Sequence, residues 1–122
     1  MGPIRVLVAD DVDKVRQDLR IALELTGGVE VVGEASDGRQ AVELAARLRP
    51  DVVLMDLEMP VLNGYEATQQ VKARCPACRV VALTVHGDDA SRLRAVCAGV
   101  DDFIVKGVAL ETLKQALSKG EE

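Results

Sequence analysis

Residues Asp51 to Gly64 read D-V-V-L-M-D-L-E-M-P-V-L-N-G. The first part, Val52 to Met55, is a short apolar run rich in β-branched side chains. That is the pattern of a strand covered on both faces in a parallel sheet. The run stops at Asp56. A carboxylate that closes an apolar strand sits where the chain leaves the core, at the strand's carboxyl end. Open α/β sheets take up ligands outside that edge. Glu58, Met59 and Pro60 then form a stiff, non-helical turn, and Asn63-Gly64 signals a turn or a helix start. Asp56 is therefore expected as an exposed, positioned carboxylate on a rigid element.

The same grammar repeats on both sides of this stretch. Ile4 to Ala9 reads as a strand closed by Asp10-Asp11. Asp13 is placed to cap a helix carrying Val12, Val15, Leu19, Ala22 and Leu23, which Gly27-Gly28 stops. Val29 to Val32 alternates, with Glu30 between valines, and suits a sheet edge. Asp37-Gly38 opens a helix with Ala41, Leu44, Ala45 and Leu48 on one face, ended by Pro50. Beyond Gly64, a helix turns Ala67, Val71 and Cys75 inward. Arg79 to Leu83 is a fourth strand, closed by Thr84. Asp88 and Asp89 cap a helix striped by Leu93, Val96 and Cys97 and stopped by Gly99. Phe103 to Val105 is a fifth strand, closed by Lys106. Leu110, Leu113, Ala116 and Leu117 stripe a last helix, and the polar tail after Leu117 is expected to fray. Five successive β-α units predict one α/β domain over residues 1–122, a doubly wound parallel sheet with helices on both faces.

Composition narrows the function. The chain has 122 residues and is 48% apolar but only 2% aromatic, so the core must be aliphatic. A formal net charge of −5 disfavours a nucleic-acid surface, which needs a basic patch. No secretory signal is read at the N-terminus, Val6 stands where a myristoylation signal needs Ser or Thr, and no apolar stretch approaches the ~20 residues of a membrane span. Three cysteines, an odd number, suit a reducing cytoplasm.

The strand ends carry the chemistry. In one parallel sheet, Asp10, Asp11, Asp56, Thr84 and Lys106 converge on a single edge. Each alone has an ordinary reading, as a cap, a turn residue or a solvated charge; five at four consistent strand ends do not. Clustered carboxylates repel one another unless a cation joins them. The donors are oxygens, with no His or Cys at those ends, which favours a hard ion, Mg²⁺ before Ca²⁺. Carboxylates, Mg²⁺, a lysine and a hydroxyl make a phosphoryl-transfer site, and Asp can serve as the nucleophile.

Here the sequence resembles the receiver domains of bacterial two-component response regulators. The matching residues are Asp10-Asp11, Asp56 with Met59-Pro60 and Gly64, Thr84, Ala98-Gly99, and Phe103 three before Lys106. The resemblance implies a flavodoxin-like, CheY-like fold with strand order 2-1-3-4-5. It implies that Asp56 accepts a phosphoryl group from a sensor histidine kinase, in a self-catalysed step and not as an enzyme acting on separate substrates. Asp11, Asp56 and the Glu58 carbonyl would bind Mg²⁺ directly, and Asp10 through water. Lys106 would pair with the phosphoryl oxygens, with backbone contacts from Glu58 and Val85. Thr84 would swing to the phosphoryl group and Phe103 would turn inward behind it. A homodimer on phosphorylation is a further implication, with no direct nucleic-acid or membrane contact by this domain.

Gly107 follows the lysine where proline is common. With the run Leu83 to His86 (L-T-V-H), it is similar to the subfamily with a LuxR-type helix-turn-helix output, which would make the output transcriptional. Phe103 stands where many members have Tyr, and Val85 where Ala or Ser is frequent. Two other classes compete. A haloacid-dehalogenase-like phosphatase also uses a strand-end Asp and Mg²⁺, but needs a second Asp where Glu58 stands. A redox protein would use Cys75-Pro76-Ala77-Cys78, but that motif closes a helix where a redox motif opens one. His86 reads as a surface loop residue.

Overall fold

A computed structural model describes residues 2–107 and 110–118. The side chain of Leu110 and residues 119–122, where fraying is expected, lie outside the described residues. The third strand, β3 (Val52–Asp56), is buried along its whole length, as its unbroken apolar run requires. It lies at the centre of five parallel strands: β1 (Ile4–Ala9), β2 (Val29–Ala35), β3, β4 (Arg79–Thr84) and β5 (Asp102–Val105), in the order β2-β1-β3-β4-β5. Helices α1 (Asp13–Leu25), α2 (Gly38–Leu48), α3 (Gly64–Arg74), α4 (Asp89–Ala98) and α5 (Leu110–Ser118) alternate with the strands.

Side chains alternate across the sheet, so each strand feeds two cores. Val6, Val8, Leu54, Val81 and Leu83 pack with Leu23 of α1 and with Leu113 and Leu117 of α5. Leu7, Val53, Met55 and Val80 pack on the other face with Ala41 and Ala45 of α2 and Ala67 and Val71 of α3. Leu57, Ala82 and Ala95 extend that second face beneath α4. Arginines finish two helices at the opposite edge of the sheet. Arg5 donates to the carbonyls of Leu48 and Arg49, and Arg79 donates to that of Ala116. These are carbonyls a helix end leaves unpaired. Among the described residues, no helix is long and apolar enough to cross a membrane.

Three local expectations need correction. Strand β2 does not stop at Val32 but runs through Gly33 to Ala35, because the β1–β2 register shifts between Val6 and Leu7 and leaves Val32 as an extra residue. Asp13 is not the cap of α1. The N-cap position is Val12, which makes no side-chain cap, and Asp13 is the first helical residue, ion-paired to Arg16 at 2.6 Å.

The third correction concerns α4. Leu93 and Val96 are 65% and 59% exposed and Cys97 is exposed, while Ala95 and Ala98 are buried. Spacing defines both stripes equally well. Small residues let the helix lie close, and two arginine–ring contacts accompany that rotation: Arg92 lies 4.6 Å from the Phe103 ring centroid and Arg94 lies 3.9 Å from that of Tyr65.

Candidate functional site

The carboxyl ends of β1, β3, β4 and β5 bring the five strand-end residues to one edge. Asp10, Asp11 and Asp56 each place a carboxylate oxygen within 4.8 Å of the others. Lys106 Nζ bridges two of them, 3.0 Å from Asp10 Oδ2 and 3.6 Å from Asp56 Oδ2. Asp10 is buried and Asp11 is exposed, so the cluster has a floor and a rim. The Asp10 loop is tied down locally: Asp10 Oδ1 accepts from the Val12 N–H at 2.9 Å, and Arg16 Nη1 donates to the Asp10 carbonyl at 2.8 Å.

Asp56 is not the exposed carboxylate expected from its place at a strand end. It is 4% exposed, on the pocket floor, because Lys106 covers one carboxylate oxygen and the turn after β3 folds back over it. In that turn the Glu58 N–H donates to Asp56 Oδ1 at 3.2 Å. The start of α3 closes in behind: the Gly64 N–H donates to the Leu57 carbonyl at 3.0 Å, and Asn63 caps the helix by accepting from the Glu66 N–H at 3.0 Å. Between them, Val61 sits at φ 68°, a strained γ-turn closed by the Leu62 N–H on the Pro60 carbonyl at 2.7 Å.

Burial pushes the Asp56 carboxyl up to about 6, against the pull of Lys106 and with repulsion from Asp10 and Asp11 added. Burial also pulls the Lys106 ammonium down, but Asp10 and Asp56 outweigh it and the net shift is upward. A carboxylate cluster holding one of its members near protonation is short of positive charge. Its donors are all oxygens, so the residues present fit a hard divalent cation.

Thr84 is 1% exposed and does not point at an empty pocket. Its hydroxyl donates to Glu58 Oε1 at 2.9 Å and accepts from the His86 N–H at 3.0 Å. His86 Nε2 lies 3.6 Å from the other Glu58 oxygen. His86 is thus a loop residue as expected, but one in contact with the site's margin. Phe103 is half-buried against α4 under Arg92. The Val85 side chain is 64% exposed. The sequence places Glu58 beside Asp56, two residues on, but carries no signal for its bond to Thr84, nor for Arg16 or Arg92, since neither arginine closes a strand.

Cys75 and Cys78 form a disulfide at the opposite edge of the sheet from the acidic cluster. This departs from the expectation of reduced cysteines, and it follows from the C-x-x-C turn, which brings both buried side chains together. Lys72 fastens the turn, donating to the Cys78 carbonyl at 3.0 Å and pairing with Asp101 at 2.9 Å.

Comparison with known proteins points one way. A family model described as the response regulator receiver domain matches residues 6–118. Response regulator protein VraR of Staphylococcus saprophyticus is 40% identical over 117 residues, which cover 96% of this chain and 56% of that protein. The chain therefore spans little more than half the length of that relative. A two-component response regulator of the LuxR family from Aurantimonas superposes with a TM-score of 0.90 at 33% identity, covering 96% of this chain and 84% of that one. The isolated receiver domain of RcsB from Salmonella enterica, determined in the presence of phosphomimetic beryllofluoride, superposes at 0.85 with 26% identity over 96% of this chain and 87% of that one.

Proposed function

The chain belongs to the response regulator receiver domain family, and on that premise we propose that it is switched by a phosphoryl group accepted on Asp56. The observation that carries this reading is the convergence of three carboxylates and one ammonium on the end of β3, with Lys106 Nζ within 3.6 Å of Asp56 Oδ2.

In the proposed step, an Asp56 carboxylate oxygen attacks phosphorus in line, the bond to a histidine-kinase imidazole nitrogen breaks, and the imidazole leaves with the electron pair. Such transfer is mostly positioning and charge stabilisation. Mg²⁺ bound by Asp11, Asp56 and the Glu58 carbonyl, with Asp10 acting through water, would offset charge on the carboxylates and the phosphoryl oxygens. Lys106 then moves its contact from Asp56 to a phosphoryl oxygen, the Glu58 and Val85 N–H groups donate to the others, and Thr84 and Phe103 report the change to the surface. The phosphatase alternative needs a second Asp as acid/base; Glu58 stands there with its carboxylate already bonded to Thr84. The proposed location of this chain is the cytoplasm, and its proposed partners are a sensor histidine kinase and, after phosphorylation, a second copy of the chain. The proposed output is transcriptional, through a further domain like those of the LuxR family.

The direct test is incubation with Mg²⁺ and a small acyl phosphate. A mass gain of one phosphoryl group that disappears when Mg²⁺ is chelated is expected; no gain, or a gain indifferent to chelation, sinks the reading. Mg²⁺ alone should also stabilise the fold, because it binds the native cluster and not the unfolded chain. At ten times its dissociation constant it adds about 1.4 kcal/mol, roughly 5 °C for a domain of this size. Asp11→Ala should raise the melting temperature of the metal-free protein, by removing one repelling charge, and abolish the Mg²⁺ increment. Identical melting curves with and without Mg²⁺ would count against the metal site.

A further inference from the structure

We propose that Glu58 is a latch on the switch: its carboxylate holds the hydroxyl proton of Thr84 in the resting state, and a phosphoryl group on Asp56 must take that proton away. This rests on the reading of Asp56 as the phosphoacceptor. A threonine hydroxyl has one proton to donate. Here it goes to Glu58 Oε1 at 2.9 Å, while the oxygen's accepting side is used by the His86 N–H at 3.0 Å. Thr84 is 1% exposed, so no water competes freely for it. The hydroxyl therefore has two exclusive positions, on Glu58 or on the phosphoryl oxygen.

The same residue senses both ends of the change. Its backbone N–H donates to Asp56 Oδ1 at 3.2 Å, two residues back, and its side chain reaches Thr84 across the strand ends. A phosphoryl group arriving on Asp56 is a stronger acceptor for Thr84 and repels the Glu58 carboxylate. It both attracts the hydroxyl and releases the latch. The Glu58 side chain, with His86 3.6 Å away, is then free to leave the pocket margin. Phe103 has no hydroxyl of its own to anchor it outward; Arg92, 4.6 Å from its ring centroid, holds that side of the resting state.

A contact made only in the resting state opposes phosphorylation, and removing it must favour the phosphorylated form by the same factor. The probe is beryllofluoride titrated at fixed Mg²⁺. Glu58→Ala should tighten its apparent binding on the order of tenfold, the low end for losing a hydrogen bond to a charged group. Removing a negative charge near an anion would also tighten binding, with no latch involved. The Thr84→Val background separates the two: there the Glu58→Ala gain should shrink by about threefold or more, since no hydroxyl remains to be released. In the metal-free protein without probe, Thr84 resonances of Glu58→Ala should move toward their beryllofluoride-bound positions, whereas a charge effect on the anion leaves them in place. An equal gain in both backgrounds, or no gain, overturns the latch alone. No binding by the wild type, or equal binding by Asp56→Asn, overturns the phosphoacceptor reading and the latch with it.

Discussion

Asp56→Asn is expected to abolish the acyl-phosphate mass gain completely and, at neutral pH without Mg²⁺, to make the protein more stable. The first effect follows from nucleophile chemistry, since an amide oxygen does not form the acyl phosphate. The second follows from the environment of the carboxyl. Its value rises from the ordinary 3.8 to about 6, chiefly by burial. The folded state then holds the Asp56 proton more tightly than the unfolded state does. Below pH 3.8 both states are protonated and the residue costs nothing. Stability falls as pH rises through the window from 3.8 to about 6, and above it the full penalty is present, about 3 kcal/mol. That is a large share of the 5–15 kcal/mol that typically holds a domain together. Asparagine keeps an oxygen for the Glu58 N–H and carries no charge, although it gives up the pairing with Lys106. The wild-type and variant melting temperatures should therefore coincide near pH 3.5, diverge up to about pH 6 and run parallel beyond. Mg²⁺ should narrow the gap. A gap that does not change with pH would mean that the charge of Asp56 costs nothing, and a surviving mass gain would move the phosphoacceptor elsewhere.

That penalty shows what the sequence could and could not convey. The end of an apolar run at Asp56 marks where the strand ends, and five polar residues at four strand ends mark where the site is. Both are consequences of one-dimensional pattern. Whether Asp56 faces solvent depends on what folds over it: Lys106, fifty residues on, and the turn that carries Glu58. The burial of Ala95 and Ala98 in place of Leu93 and Val96 has the same origin. Helical spacing gives two stripes on α4; the one that packs sets Ala95 against Leu57 and Ala82, and turns Arg92 and Arg94 onto the rings of Phe103 on β5 and Tyr65 on α3. The Glu58–Thr84 bond joins residues 26 apart and has no spacing to betray it. Cys75 and Cys78 stand out in the sequence as a pair that closes a helix. Whether they bond is a matter of turn geometry, which composition does not encode.

Gly64→Ala is expected to destabilise the fold by about 3 kcal/mol or more, as overpacking against rigid backbone does. It should also slow phosphorylation of Asp56 about a hundredfold, the usual effect of a displacement near 1 Å at a reacting group. In the sequence, Asn63-Gly64 reads as a turn or a helix start. The structure bears out the helix start and adds a packing reason for the glycine. It is the first residue of α3, and a methyl group there would run into the Asp56 carbonyl oxygen and stand 2.6 Å from Leu57 Cα. Those atoms are backbone and cannot swing aside. Either α3 must lift from the sheet, breaking the Gly64 N–H bond to the Leu57 carbonyl, or the Asp56–Leu57 segment must shift. That segment carries Asp56, the proposed phosphoacceptor, and leads directly into Glu58, so either movement disturbs the site. Gly27→Ala supplies the contrast. Gly27 sits at φ +77° with nothing within 4 Å of an added methyl group, so its cost is the left-handed backbone alone, about 1 kcal/mol. It lies outside the site and should leave the phosphorylation rate unchanged. Denaturant unfolding and the rate of mass gain, measured on both variants, separate crowding from backbone strain. If Gly64→Ala loses no more stability than Gly27→Ala and phosphorylates as fast as wild type, α3 slides outward at little cost, and the close seating of its first turn is not what positions Asp56.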